Sequence, residues 1–287
     1  MTLPLVAGID GSDSSLLALD WAVDEAGRLG APLRVVYASL WERYELALPA
    51  TVQGRPSEQV LAEHVVASAA ERAERRNPDV KVTTDILLEE PAAALVREGD
   101  GASALVTGSR GRGRLKGTLL GSVGLAVAGR ARCPVIVVRG DAAGTAGRHE
   151  RILLGVGDSD TSPGAVRFAF REAELRGCVL DVIRAWRSPA CRSRHREDAA
   201  NSPEAEASAL LDTLLEGVVA EHPQVRVHRT TLEGPAGKIL VNRSAAADLV
   251  VVGARRRTSP VGFQLGPVSH ALLHHALCPV AVVPQRP

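Results

Sequence analysis

The sequence predicts two tandem copies of one α/β domain, each a five-stranded, mostly parallel sheet covered by helices on both faces. Three observations predict it: an internal repeat, a regular alternation of strand and helix signals within each copy, and a Gly/Ala-rich joint between the copies. The repeat comes first because it decides how the rest is read. Residues 6–38 align without a gap on residues 153–185, pairing Gly8 with Gly155, Asp13 with Asp160, Trp21 with Phe168, Glu25 with Glu172 and Ala38 with Ala185. Residues 106–138 align in the same way on 251–283, pairing Gly108 with Gly253, Gly121 with Gly266 and Cys133-Pro134 with Cys278-Pro279. The offset is 147 in the first block and 145 in the second, far too long a period for a solenoid. The joint is the segment 140–149, GDAAGTAGRH, which reads as a flexible linker. The expected domains are therefore 1–140 and 149–287.

Within the first copy, the apolar run Leu5 to Ile9 stops at Asp10-Gly11-Ser12, as a buried strand followed by a turn does. Leu16, Leu19, Val23 and Ala26 recur at helical spacing until Gly30-Ala31-Pro32 ends the helix. Leu33 to Ala38 is a second strand. Pro49, Gly54 and Pro56 mark a loop, and Ser57 is placed to cap a helix running to about Arg76. Val80, Val82, Thr84 and Ile86 alternate as in a strand, and Pro91 opens a short helix. Ala104 to Thr107 is a fourth strand, followed by a Gly-rich loop, a helix from about Leu119, and a fifth strand from Val135 to Val138. The second copy repeats the order, with Ser162-Pro163 and Ser202-Pro203 as helix starts and Val280 to Val283 as its last strand. Strands alternating with helices imply a parallel sheet. In such sheets ligands sit at the carboxyl ends of the strands, where the strand order switches.

Composition narrows the function. The chain of 287 residues is 45% hydrophobic and 23% charged, enough to bury a core in each copy without staples. A net charge of +1 and an aromatic content of 3% argue against a nucleic-acid-binding surface. Cys133, Cys178, Cys191 and Cys278 form no CxxC pair and match no zinc spacing; Cys133 and Cys278, each ahead of a Pro and an apolar run, read as small buried hydrophobes. The first residues, MTLPLVAGID, lack the basic and apolar regions of a signal peptide, and no apolar run reaches membrane-spanning length. The expectation is a cytoplasmic protein with no membrane contact.

The segment from Gly108 to Ser122 carries the strongest chemical signal. It reads Gly108-Ser109-Arg110-Gly111, nine residues, then Gly121-Ser122 at the start of the next helix. Glycines let backbone amides approach a polyphosphate, and helix N-termini favour anions. Arg110, Arg112, Arg114 and Lys116 add positive charge. The loop is not a Walker A loop, because Lys116-Gly117-Thr118 has the wrong order, and it is not a dinucleotide fingerprint, because it follows the fourth strand rather than the first. A mobile surface turn is the bland alternative.

A strand ending in G-x2-G-x9-G-[S/T], then a helix, then C-P-V-x-V-V, resembles the universal stress protein family, and in that family the pattern marks the ATP-binding subgroup. The first strand running into Asp-Gly-Ser (GIDGS) and the ADLVVVGARRR segment of the second copy match it too. The resemblance covers essentially the whole chain, twice. It implies an adenine-nucleotide alpha-hydrolase-like (Rossmann-like) fold and ATP, with or without Mg2+, as ligand. By position, Asp10 should lie near the ribose or a phosphate-bound metal. Ala38 should meet adenine through its backbone. Gly108, Gly111, Gly121 and Ser122 should hold the phosphates, and Gly8, Thr107, Arg110, Arg112 and Val123 complete the expected nucleotide-binding set. The family often carries Ser or Thr two residues past the Gly-Ser pair; here that residue is Gly124, so one hydroxyl contact is missing. The second copy reads as a degenerate site, with Gly157 for Asp10, Arg256 for Gly111 and Pro267 for Ser122.

Other constellations are weaker. His270 and His274 stand i, i+4 with no acidic residue between them, and Cys191 to Arg196 is a basic loop with a lone thiol. GIDGSDSS is superficially similar to the SGGxDS loop of ATP-pyrophosphatase-type adenylating enzymes. No nucleophile, base and metal-ligand set commits the chain to a reaction. The leading expectation is an ATP-binding stress-response protein acting as a switch or scaffold with little or no catalysis. The alternatives are a structural or protein-interaction module without nucleotide, and a slow ATPase or adenylating enzyme. The expected assembly pairs the two domains within the chain through their last strands, and two such chains as a homodimer, two-fold closure being the commonest arrangement.

Overall fold

The structure is a computed structural model, and it describes residues 2–40, 58–111, 120–140, 145, 147–157, 163–187, 202–254 and 265–284. The chain separates into two compact units, Met1–Val138 and Arg139–Pro287. Unit 1 runs β1 (Leu5–Ile9), α1 (Asp13–Leu29), β2 (Leu33–Ala38), α2 (Glu58–Arg76), β3 (Val82–Leu87), α3 (Pro91–Glu98), β4 (Ala104–Gly108), α4 (Ser122–Arg130) and β5 (Val135–Val138). Its strands are all parallel, in the order β3-β2-β1-β4-β5. Unit 2 repeats this as β6 (Arg151–Val156), α5 (Pro163–Arg176), β7 (Val179–Trp186), α6 (Pro203–Glu221), β8 (Arg226–Glu233), α7 (Ala236–Arg243), β9 (Leu249–Ala254), α8 (Pro267–His275) and β10 (Val280–Pro284). Its order is β10-β9-β6-β7-β8, again parallel. In each unit the chain order reverses beside the first strand, which opens the crevice expected of a doubly wound sheet.

The local chemistry explains the boundaries. Ser12 caps α1 by accepting the Ser15 N–H at 3.3 Å, and Gly30, at φ 58, closes it in the left-handed conformation that glycine adopts without a Cβ penalty. The inward stripe of α1 is Ala18, Leu19, Ala22, Val23 and Ala26, all essentially inaccessible. On its outer side, Arg72 and Arg76 of α2 pair with Asp20 and Asp24, each with a guanidinium–carboxylate contact of 2.7 Å. Glu90 caps α3 ahead of Pro91, accepting from Ala92 and Ala93. Ser202 caps α6 in the same way, accepting from Ala205 at 3.1 Å.

Several sequence expectations shift. The third strand begins at Val82 rather than Val80, because the Val80 N–H turns back to the Asn77 carbonyl. The fourth strand extends one residue to Gly108. The helix after the loop begins at Ser122, not near Leu119, because Gly121 holds an extended ψ of 150° and serves as the N-cap. Ser57 and Ser162 lie outside the described residues.

Both ends of the 140–149 segment are tied to unit 2. Arg139 donates to the carbonyls of Leu272 and Leu273 in the last turn of α8, of which Leu272 also accepts the Ala276 N–H at 2.9 Å. Gly140, at φ 105, lies so close to Leu277 that a Cβ would sit 2.1 Å from its carbonyl oxygen. At the other end the buried Asp248 carboxylate accepts from the His149 N–H at 2.9 Å and the Arg151 N–H at 3.2 Å. Gly140→Ala combines a strained φ with a backbone collision and is expected to destabilise the chain by about 2 kcal/mol. A calorimetric scan checks this; an unchanged Tm would mean that the segment simply moves aside.

Candidate functional site

The site is built where β1 and β4 end. After Ile9 the chain turns at Asp10, whose carboxylate accepts the Ser12 N–H at 3.0 Å and the Ser12 hydroxyl at 2.6 Å. This is an Asx-type turn, which fixes the acid at the mouth of the sheet. The Asp10 N–H in turn donates to the Ser15 hydroxyl at 3.3 Å.

At the end of β4, Gly108 packs on the first turn of α1. A Cβ there would lie 2.6 Å from the Ser14 carbonyl oxygen, so only glycine lets the strand approach that closely. The loop is then stitched to α1: the Arg110 N–H donates to the Ser14 hydroxyl at 3.1 Å, and Ser12 Oγ donates to the Arg110 carbonyl at 3.4 Å. Gly111 comes next, and a Cβ on it would fall 2.7 Å from Asp10 Oδ2. The backbone of the loop thus lies directly against the Asp10 carboxylate. The Gly121 N–H donates to the Ser109 carbonyl at 2.8 Å and closes the loop's far end onto its beginning.

From there α4 starts with no side-chain cap on Gly121. The first turn of a helix leaves its N–H groups without partners inside the helix, so Ser122, Val123 and Gly124 present donors at the positive end of the macrodipole. All three line a cavity of about 540 Å³. One side of it is apolar: Ile9, Val36, Ala38, Pro91, Leu95 and Leu125. That wall exists because α3 sinks onto β1 at Gly8, where a Cβ would meet Leu95 Cδ1 at 2.7 Å. The opposite side holds Asp10, Thr107, Gly108, Arg110, Gly111, Gly121 and Ser122. The cavity therefore joins an apolar slot to an amide-lined, partly basic end.

Of the residues singled out in the sequence, Gly8, Asp10, Ala38, Thr107, Gly108, Arg110, Gly111, Gly121, Ser122 and Val123 all line this one cavity. Arg112, like Arg114 and Lys116, lies outside the described residues. Sequence reasoning missed the apolar wall. Val36 was one of several apolar residues in a strand read only as a strand, and Pro91 was read only as a helix start. Leu95 carried no signal of its own.

The corresponding place in unit 2 differs. Gly157 replaces the acid, and its carbonyl accepts from Arg184, the residue aligned with Tyr37. Pro267 is the first residue of α8, where proline is sterically welcome but removes one of the donors that an anion would use. Arg256 lies outside the described residues. The backbone fit of the first strand is nonetheless repeated: a Cβ on Gly155 would meet Leu240 at 2.6 Å, as Gly8 meets Leu95.

Among the described residues, no group of three His, Cys, Asp or Glu side chains is arranged to hold a metal ion. His270 and His274 stack on each other with ring centroids 4.4 Å apart. Cys133, Cys178 and Cys278 are free and buried, and burial pushes the Cys133 thiol up to about 11, far from reactivity. Cys191 lies outside the described residues. No helix among the described residues is long and apolar enough to cross a membrane.

Comparison with known proteins agrees on one family. The model of the universal stress protein family matches residues 1–139 and again 149–284. The chain is 34% identical over 291 residues to universal stress protein Rv2005c of Mycobacterium tuberculosis, covering 98% of this chain and 97% of that one. It is 29% identical over 307 residues to universal stress protein Rv1996 of the same organism, covering 99% and 96%. A universal stress protein from Archaeoglobus fulgidus shares the fold, with a TM-score of 0.67 over 99% of this chain and 98% of that chain at 20% identity. With two family matches that together span nearly its whole length, the chain belongs to the universal stress protein family.

Proposed function

We propose that unit 1 binds one adenine nucleotide, ATP, and that the protein acts in the stress response as a nucleotide-dependent switch or scaffold with little or no turnover. The observation that carries this reading is the shape of the unit 1 cavity. One cavity of about 540 Å³ has in its lining both apolar side chains, such as Val36 and Leu95, and the first turn of α4 beside the Gly108–Gly111 backbone. Adenine fits the slot between Ile9, Val36 and Leu95, with the backbone of Ala38 at its rim. The ribose falls beside Asp10, and the phosphates fall on the amides of Gly111 and of Ser122 to Gly124.

Were Mg2+ to accompany the nucleotide, Asp10 is the carboxylate of the cavity that would hold it, and the ion would offset the repulsion between that carboxylate and the phosphate charge. Little in the cavity suggests turnover, because the described residues that line it include no histidine, lysine or cysteine. Nucleotide occupancy would instead alter the surface around the site, which is how a ligand shifts a binding equilibrium with a partner.

Calorimetric titration with ATP and Mg2+ tests the reading. The expected result is one nucleotide per chain, with ADP release slow or absent on long incubation. Two equivalent sites would refute the assignment to unit 1. No binding would favour a protein-interaction module, and steady product formation would favour an enzyme.

A further inference from the structure

The phosphate end of the unit 1 cavity has two sets of backbone donors, the amide of Gly111 and those of the first turn of α4. Both trace back to one side chain that is not among the cavity's lining residues, that of Ser14 in the first turn of α1. Ser14 Oγ accepts the Arg110 N–H at 3.1 Å and lies 3.4 Å from Ser109 Oγ. It also lies 2.7 Å from where a Cβ on Gly108 would sit. Three successive residues at the end of β4 therefore pack on this hydroxyl or bond to it.

The peptide between Ser109 and Arg110 is the link. A trans peptide is planar and points its N–H and its carbonyl in opposite directions. Ser14 takes the N–H of this peptide, and the Gly121 N–H takes its carbonyl at 2.8 Å. Gly121 is the N-cap of α4. One rigid plane thus joins the start of α1 to the start of α4, with Ser14 fixing its orientation. The Gly111 amide follows one residue later on the same backbone. The base end of the cavity stands apart from these bonds, built from Val36 of β2 and from Pro91 and Leu95 of α3.

We infer that Ser14 is a positioning residue for the phosphate end of the site, and that its hydroxyl makes unit 1 favour a phosphorylated nucleotide over the bare nucleoside. This rests on the nucleotide reading above and deepens it. Ser14 touches no ligand; it aims the amides that do. The second copy carries Thr161 at the aligned position, outside the described residues but with the same hydroxyl acceptor.

The test titrates Ser14→Ala and Ser14→Thr with ATP and, separately, with adenosine, alongside a thermal scan of each chain. Ser14→Ala is expected to weaken ATP binding about tenfold and to leave adenosine affinity within about twofold of the parent value. Ser14→Thr keeps the hydroxyl and is expected to keep the ATP affinity. Where the alanine chain does not fold, Ser14→Cys, similar in size and only a weak acceptor, is read in its place with the same expectations. Equal losses for ATP and adenosine assign the hydroxyl to the fold and overturn the inference. Unchanged ATP affinity in Ser14→Ala also overturns it and leaves the nucleotide reading intact, as does a parent chain that binds adenosine as tightly as ATP. A parent chain that binds neither overturns both readings.

Discussion

Gly111→Arg is expected to abolish nucleotide binding by unit 1 and to leave its stability nearly unchanged. The substitution puts the residue of copy two, Arg256, into copy one. A Cβ on Gly111 would lie 2.7 Å from Asp10 Oδ2, a side-chain atom rather than backbone, so the collision can be relieved without moving β1 or α1. The cost to folding should stay within about 0.5 kcal/mol, as is usual for surface loops. The cost to binding is large for two reasons. The long side chain fills the space that a phosphate needs above the loop amides, and its guanidinium neutralises Asp10, removing the carboxylate that would hold a bridging cation. Losing even two charged hydrogen bonds, each worth about 1.5–3 kcal/mol, weakens binding by about a hundredfold or more. Titration together with a thermal scan decides. Unchanged affinity would remove Gly111 from the site, and a collapsed Tm would show that the loop is part of the core.

Gly108→Ala, three residues earlier, should behave in the opposite way. Its Cβ would lie 2.6 Å from the Ser14 carbonyl oxygen and 2.7 Å from the Ser14 carbonyl carbon, both backbone atoms of the first turn of α1. Neither can rotate away, so β4 and α1 must separate. Overpacking of this kind typically costs about 1–3 kcal/mol. The shift also breaks the contacts of Ser12 and Ser14 with Arg110, which place the loop. Both Tm and affinity should fall, and binding should not be recovered by cooling to a temperature where the variant is fully folded. A variant as stable as the parent chain would show that the strand end is more pliant than its packing implies.

The contrast between these two glycines shows what the sequence could and could not convey. The repeat, the strand positions and the Gly108-to-Ser122 pattern were legible because backbone geometry dictates them: parallel strands want apolar runs, and a tight loop wants glycine. The sequence marked Gly108 and Gly111 alike. Only their neighbours separate them, a backbone carbonyl in one case and a side-chain carboxylate in the other, and those neighbours lie about a hundred residues away in the chain. Leu95 was invisible for the same reason, since it enters the site only because Gly8 lets α3 come down upon it. Gly124 was legible as a gap. The start of α4 was misjudged because apolar Leu119 and Leu120 continue the helical pattern, whereas the extended ψ of Gly121 sets the true beginning.

The anchoring of residues 139–149 matters to anyone who would divide this protein. The second family match begins at 149, which invites a cut there. A fragment starting at 149 would lose Arg139 and Gly140, taking the guanidinium away from the Leu273 carbonyl and baring the surface of Leu277. Physically, the second half begins ten residues upstream of its recognisable sequence. The seam visible in the sequence and the seam along which the protein comes apart are not the same place.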